Sequence, residues 1–188
     1  MLKKMSKVKM HSYPGMVAVV GVRGEASPNF MAAGWHSYLS IDPPMYGVAV
    51  GKERYTYELL QRSERYSINF LPAEHAAFIQ YAGTVSGRDK DKCGEFGQAY
   101  FISDKGNPIL ENAYLSYECI RGTMIPTGDH DWVVGDIETC YYIEDKFGTD
   151  GLPDFEKLHI PLYLGRSTYV PLEGHVKKMD IKDPLNYK

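Results

Sequence analysis

"DWVVGDIETCYYI", residues 131–143, reads as a β-strand, and it is long for a single straight one. Gly135 near its middle marks a bulge or bend, a usual way for a long strand to turn a corner. Strand signals continue on either side. "MVAVVGV" (16–22) and "MYGVAV" (45–50) are apolar, β-branched and bounded by Pro or Gly. "YSINFL" (66–71) alternates Tyr66, Ile68 and Phe70 against Ser67, Asn69 and Leu71, and "AYLSYECI" (113–120) puts Leu115, Tyr117 and Cys119 on one face. Two short helices interrupt the pattern. Thr56 N-caps "YELLQRS" (57–63), and Pro72 opens a helix through "AEHAAFIQYAG" that Gly83 ends. Short strands, few helices and no alternating βαβ rhythm predict a mainly β fold, a β-barrel decorated by helices, and not a doubly wound nucleotide-binding sheet.

With 188 residues, 44% hydrophobic and 24% charged, the chain is long enough for one domain with a real core. No repeat, low-complexity tract or linker divides residues 1–188, and 174–188 read as a charged tail that lies over a neighbouring subunit. A net charge of −3 argues against a general nucleic-acid binder. Lys3, Lys4, Lys7 and Lys9 precede the first apolar run, but Arg23 breaks it and no small-residue cleavage site follows. It is also far below the ~20 residues a membrane span needs. The expectation is a soluble, cytoplasmic protein. The three cysteines have no zinc spacing. Cys119 reads as a small buried hydrophobe, and Cys93, beside Lys92, as a plain loop cysteine or a thiol of lowered pKa.

Several chemistries lack their motif: there is no G-x-G-x-x-G, G-x-S-x-G or H-E-x-x-H. "GVAVGK" (47–52) approaches a P-loop but is one residue short, and Glu53 stands where Ser or Thr would hold magnesium. "GDHD" (128–131) sets Asp129 and Asp131 around His130, either a weak metal site or an ordinary loop histidine. "VSGRDKDK" (85–92) places Arg88, Lys90 and Lys92 beside a Ser86–Gly87 turn. That is a solvated loop, or an anion site in which backbone N–H groups, a hydroxyl and cations meet.

Segments in order along the chain resemble the flavin reductase-like family with an FMN-binding split barrel, which includes flavoredoxins. "PNFMAAGWHSYLSIDPP" (28–44) is similar to its N-x-M-T-x-x-W…S-x-D-P-P run, and "VAVGKERYTYELL" (48–60) to its strand, basic loop and Thr-started helix. Ser86, Gly87, Arg88, Asp91 and Lys92 match S-G-R-x-x-D-K, and "GDHDWVVGDIE" (128–138) resembles the later G-D-H strand. The resemblance covers roughly residues 14–170. Ala32 departs from it, standing where the family usually has Thr, so polar contacts at that point would come from the backbone.

The resemblance implies a split β-barrel that binds FMN. Lys52, Arg54, Thr56, Ser86, Gly87, Arg88 and Lys92 would surround the phosphate, where charge-assisted hydrogen bonds contribute about 1.5–3 kcal/mol each. Met31, Ala32, Ala33, Gly34 and Trp35 would let the backbone approach the ring edge and wall it, with Val50, Gly51 and Tyr55 beside the cofactor. Hydride would come from NADH or NADPH, bound transiently, with His130 near the flavin or nicotinamide. Electrons would pass to free flavin, a ferric complex or a redox protein. The alternatives are a flavoredoxin-like carrier reduced by a protein partner, a non-catalytic flavin module, and a pyridoxamine phosphate oxidase-like activity. A homodimer with sites near its interface is also expected, with 15 tyrosines and Val176, Met179, Ile181 and Leu185 as interface material.

Overall fold

The computed structural model describes residues 3, 4, 6–8, 10 and 12–174. Residues 175–188, with Val176, Met179, Ile181 and Leu185, lie outside the described residues. The first six strands are β1 (Gly15–Met16), β2 (Ala18–Val22), β3 (Asn29–Ala33), β4 (His36–Ser40), β5 (Met45–Gly51) and β6 (Arg65–Phe70). After three helices come β7 (Tyr100–Ile102), β8 (Pro108–Leu110), β9 (Leu115–Pro126), β10 (His130–Tyr142), β11 (Ile160–Gly165) and β12 (Thr168–Leu172). Seven of them form one antiparallel sheet in the order β3-β2-β6-β9-β10-β5-β4. Its two edges do not close on each other, and the mainly β architecture is the split barrel expected.

Strand β10 is the spine. It pairs with β5 on one side and β9 on the other, and its register with β9 shifts between Val133 and Gly135 and again between Ile137 and Thr139. The expected bend at Gly135 is there, with a second beyond it. Such irregularities sharpen the local twist and curl the sheet. Glycine is required at 135 because the Tyr66 hydroxyl and the Cys119 side chain fill the space a Cβ would take.

The run in β2 is buried throughout because both faces of the strand are covered. Val20 and Val22 join one core with Tyr66, Ile68 and Leu60, while Val19 joins a second with Phe30, Phe78 and Ile79. The same holds in β6, where Ser67 and Asn69 were expected opposite the apolar face and are also buried. Asn69 accepts hydrogen bonds from the Leu110 amide (3.1 Å) and the Ser116 hydroxyl (2.9 Å) and donates to the Val19 carbonyl (3.0 Å). The β7–β8 hairpin thereby seals a polar face that would otherwise meet water.

The helices correct the sequence reading in detail. Helix α1 (Tyr55–Arg62) starts earlier than residue 57, with Arg54 at the cap and no side-chain capping bond. Thr56 is inside the first turn, where its hydroxyl accepts from Asn29 Nδ2 at 2.7 Å, so it serves a tertiary contact and not a cap. Pro72 precedes a 3₁₀ turn, Ala73–His75, before α2 (Ala76–Thr84). Gly83 lies within α2 and does not end it; its missing Cβ lets the helix sit against Ala32 of β3. A further short helix, α3 (Lys92–Phe96), begins at the last residue of the charged 85–92 stretch, where a glycine-punctuated loop was expected. Asp91 caps it by accepting from the Gly94 amide, and Gly97 closes it at φ 72°. Cys93 is therefore neither a loop cysteine nor an activated one: it is buried in α3, and burial pushes its thiol up to about 12. Cys119 is buried as expected. Among the described residues, no helix is long and apolar enough to cross a membrane.

Strands β1, β11 and β12 make a separate three-stranded sheet. Its hairpin turns at Arg166 and Ser167, both with positive φ (51° and 60°). Two such residues define the tight turn that matches strand twist, normally the preserve of Asn and Gly.

Candidate functional site

Two adjoining cavities lie between β3, α2 and the loops after β5 and α2. The larger, about 270 Å³, is lined by Met31, Ala32, Ala33, Gly34, Trp35, Gly51, Arg54 and His130 of the expected set. The smaller, about 140 Å³, is lined by Met31, Arg54, Tyr55, Thr56, Ser86, Gly87 and Lys92. Met31, Arg54 and Thr84 belong to both. The path from β5 into α1 and the turn after α2 thus bring distant segments to one place.

The smaller cavity gathers groups able to donate to an anion, with the Glu53 carboxylate also on its lining. Lys92 is almost wholly buried, and its ammonium donates to the carbonyls of Phe30 (2.8 Å) and Ala82 (2.9 Å). An ammonium carries three donors, so one N–H remains for the cavity. Burial, with Arg54 nearby, pulls the Lys92 pKa down to about 8. The Ser86 hydroxyl accepts from the Arg88 amide at 3.2 Å and keeps its own proton to donate. Gly87 has no room for a side chain, since a Cβ would run into the Asn29 amide. Among the described residues, Asn29 Oδ1 is buried without a hydrogen-bond partner. A buried polar atom left unpaired costs about 1–3 kcal/mol. Exchanging the amide's O and N lets Thr56 donate to the oxygen and turns an N–H toward an incoming anion.

Three expected residues line neither cavity. Val50 points into the core, fully buried. Lys52 donates to the Gly128 carbonyl (2.7 Å) and pairs with Asp131 (3.3 Å), so it fastens the 128–131 loop. Arg88 pairs with Glu58 and lies over the Tyr55 ring at 5.2 Å. Both cations find carboxylates that a linear reading does not place beside them. Arg54 makes only an exposed contact to Glu53 (3.2 Å), which contributes little and leaves it available.

At the open side of the larger cavity, His130 sits with its ring 4.8 Å from that of Trp35. Its Nδ1 is 2.8 Å from Asp129 Oδ1, and this contact holds the Asp129 carboxyl below its ordinary pKa. The cavity is also bordered by Tyr13, Tyr163 and Tyr169 of the separate sheet and by Gln80 and Thr84 of α2, none of them expected. Gln80 accepts from the Tyr169 hydroxyl (3.1 Å) and donates to Ser167 (3.0 Å), tying that sheet to α2. Asn29 also escaped the sequence reading, although it is the second residue of the 28–44 motif.

The split barrel sets a small cavity bearing a buried ammonium beside a larger one lined by backbone and aromatic rings. The chain belongs to the family described as flavin reductase like domain, whose model matches residues 10–173. It is similar to an FMN-binding protein from Thermus thermophilus solved with bound 1-cyclohex-2-enone: 33% identity, 95% of this chain, all of the other and a TM-score of 0.86. A flavoredoxin from Methanosarcina acetivorans is 28% identical, with 95% of this chain and 94% of that one covered and a TM-score of 0.81. An uncharacterized protein of Aeropyrum pernix is 29% identical over 82% of this chain, which spans only 59% of that relative's length.

Proposed function

We propose that this chain is an FMN-dependent oxidoreductase in which NADH or NADPH reduces the bound flavin and electrons pass to free flavin, a ferric complex or a redox protein. The observation that carries the reading is the junction of a small cavity holding a buried ammonium with a larger one lined by backbone and aromatic rings. The similar Thermus protein is named as FMN-binding and the Methanosarcina one as a flavoredoxin, which supports a flavin cofactor. Bound FMN would supply hydride acceptance and electron release. The chain's residues do the rest. Lys92, Arg54, Thr56, Ser86 and Asn29 hold the phosphate, while Ala32, Ala33 and Gly34 open the backbone to the ring edge. Ala32 offers no hydroxyl, so donors there are main-chain. His130, oriented by Asp129 and packed on Trp35, meets the nicotinamide. With no G-x-G-x-x-G segment, the nucleotide is held only in passing.

Anaerobic mixing of the FMN-loaded protein with NADH and with NADPH tests the reading, and bleaching of flavin absorbance by one of them is the expected result. If neither bleaches it while a reduced carrier protein does, the chain is an electron carrier. That second reading draws on Trp35, an exposed aromatic ring on the wall of the larger cavity. A cytoplasmic homodimer is part of the proposal; sedimentation at the mass of one chain would end it.

Arg88→Ala is expected to weaken FMN by less than about tenfold, below the roughly 10–150-fold of a direct charge-assisted bond. Glu58 and Tyr55 hold its guanidinium away from the cavity. Equilibrium titration checks this, and a loss of about 100-fold would put Arg88 on the phosphate.

A further inference from the structure

Behind the wall of the larger cavity, His36 and Tyr46 form a pair that the proposed function does not use. His36 Nδ1 lies 2.6 Å from the Tyr46 hydroxyl, and Nε2 lies 3.1 Å from the Met16 carbonyl. A carbonyl only accepts, so Nε2 carries the proton, Nδ1 is bare, and Tyr46 must donate to it. Burial lowers the His36 pKa, outweighing the Met16 carbonyl, so the ring is neutral and Nδ1 keeps its lone pair toward the phenol. Tyr46 is itself buried, and that burial, with Tyr38 and Tyr114 nearby, disfavours a bare phenolate. Losing an electron is therefore linked to losing the proton, and the acceptor is already in place.

The surroundings give the vacancy somewhere to go. Tyr38 faces Tyr46 directly across the β4–β5 pair, with ring centroids 5.0 Å apart. Tyr117 lies 5.8 Å from Tyr46, and its hydroxyl is hydrogen-bonded to that of Tyr38. Tyr46 is 3% exposed and Tyr38 61%, so the cluster leads from core to surface. At the other end, His36 follows Trp35 of the cavity wall, and Met16 precedes Val17 of the same wall.

We propose that Tyr46 and His36 are a proton-coupled redox pair that accepts oxidising equivalents and passes them to Tyr38. The oxidant is a one-electron acceptor of the organic or oxygen-centred radical class. It takes one electron from Tyr46 and becomes the reduced anion, while the phenol proton moves to His36 Nδ1, leaving a neutral tyrosyl radical and an imidazolium. Tyr38 then returns one electron to Tyr46, His36 returns the proton, and Tyr38 releases its own proton to water. The net result is a vacancy moved to the surface, where a solution thiol can refill it. A role in protecting a flavin site rests on the FMN reading; the redox activity of the pair does not.

The test uses the flavin-free full chain, flash-oxidised by photogenerated tris(bipyridine)ruthenium(III) and followed by transient absorption and electron paramagnetic resonance. A fast phase yielding a neutral tyrosyl radical, slower in D2O, is expected. His36→Gln should slow it about 100-fold, the low end for loss of a positioned base. Tyr46→Phe, which keeps the ring packing, should abolish it. Tyr38→Phe, on the exposed edge, should leave the fast phase and lengthen the radical's life. A fast phase that survives in Tyr46→Phe, or keeps its rate in His36→Gln, overturns the proposal. An unchanged lifetime in Tyr38→Phe removes the surface step.

Discussion

Asn29→Asp should bind FMN about 1000-fold more weakly than the unsubstituted chain, while riboflavin binding should change by no more than a few-fold. Asn29 sits buried on the small cavity, with its amide hydrogen-bonded to Thr56 and one polar atom unpaired. Replacing the amide by a carboxylate exchanges an available N–H for a fixed negative charge. Two like charges roughly 4 Å apart cost about 4 kcal/mol at an effective dielectric constant of 20, close to three decades in affinity. Riboflavin lacks the phosphate, so the penalty should vanish with it. Titration of both ligands by fluorescence quenching gives the comparison directly. Equal losses for the two would mean that the substitution damages the fold around Thr56 and that the phosphate lies elsewhere.

Lys92→Met should cost FMN about 10–150-fold, the range for one charge-assisted hydrogen bond, and should also remove a pH dependence. In the unloaded site Lys92 titrates near 8, against an ordinary lysine value of 10.5. A phosphate dianion would favour the ammonium and raise that value. Above pH about 8, binding would therefore take up a proton, and affinity should fall by up to about tenfold per pH unit. The methionine variant should show no such slope in that window. Folding of the flavin-free chain carries the opposite sign. Because the folded-state pKa is depressed, the unfolded chain holds more protons between about 8 and 10.5, and stability rises with pH across that range. Denaturant titrations at several pH values check the second half of the prediction. A flat profile in the unsubstituted chain would mean that Lys92 stays protonated or has no role in either equilibrium.

The main strands were legible because their chemistry is local: "AVVGV" is apolar on every residue, and Gly135 announced the irregularity in β10. Strands β3 and β4 showed through only as a family motif, since "NFMAA" and "HSYLS" carry no clean alternation. The β11–β12 hairpin was hidden because Arg166 and Ser167 make a turn that sequence patterns assign to Asn and Gly. At the site, the difficulty was tertiary. Arg88 and Lys92 look alike in "SGRDKDK", yet one is half-exposed and paired with Glu58 while the other is buried under two carbonyls. The partners that decide this, Glu58, Phe30 and Ala82, come from three other elements. Nothing in the charge run distinguishes them.

The roof of the larger cavity is assembled from opposite ends of the described chain. Strand β1 pairs with β11, joining residues 15–16 to 162–163, and Tyr13, Tyr163 and Tyr169 reach the cavity from that small sheet. The floor comes from β3 and α2, which contact each other and lie much nearer in sequence than β1 and β11 do. Pairings of such long separation must offset a large loop-closure entropy and form late. Ribosomal synthesis adds a second delay, because β11 and β12 emerge long after β3. A flavin therefore finds a finished pocket only on molecules whose early and late segments have met. Ligand that binds only the folded form would stabilise it by mass action, favouring molecules whose two ends have come together.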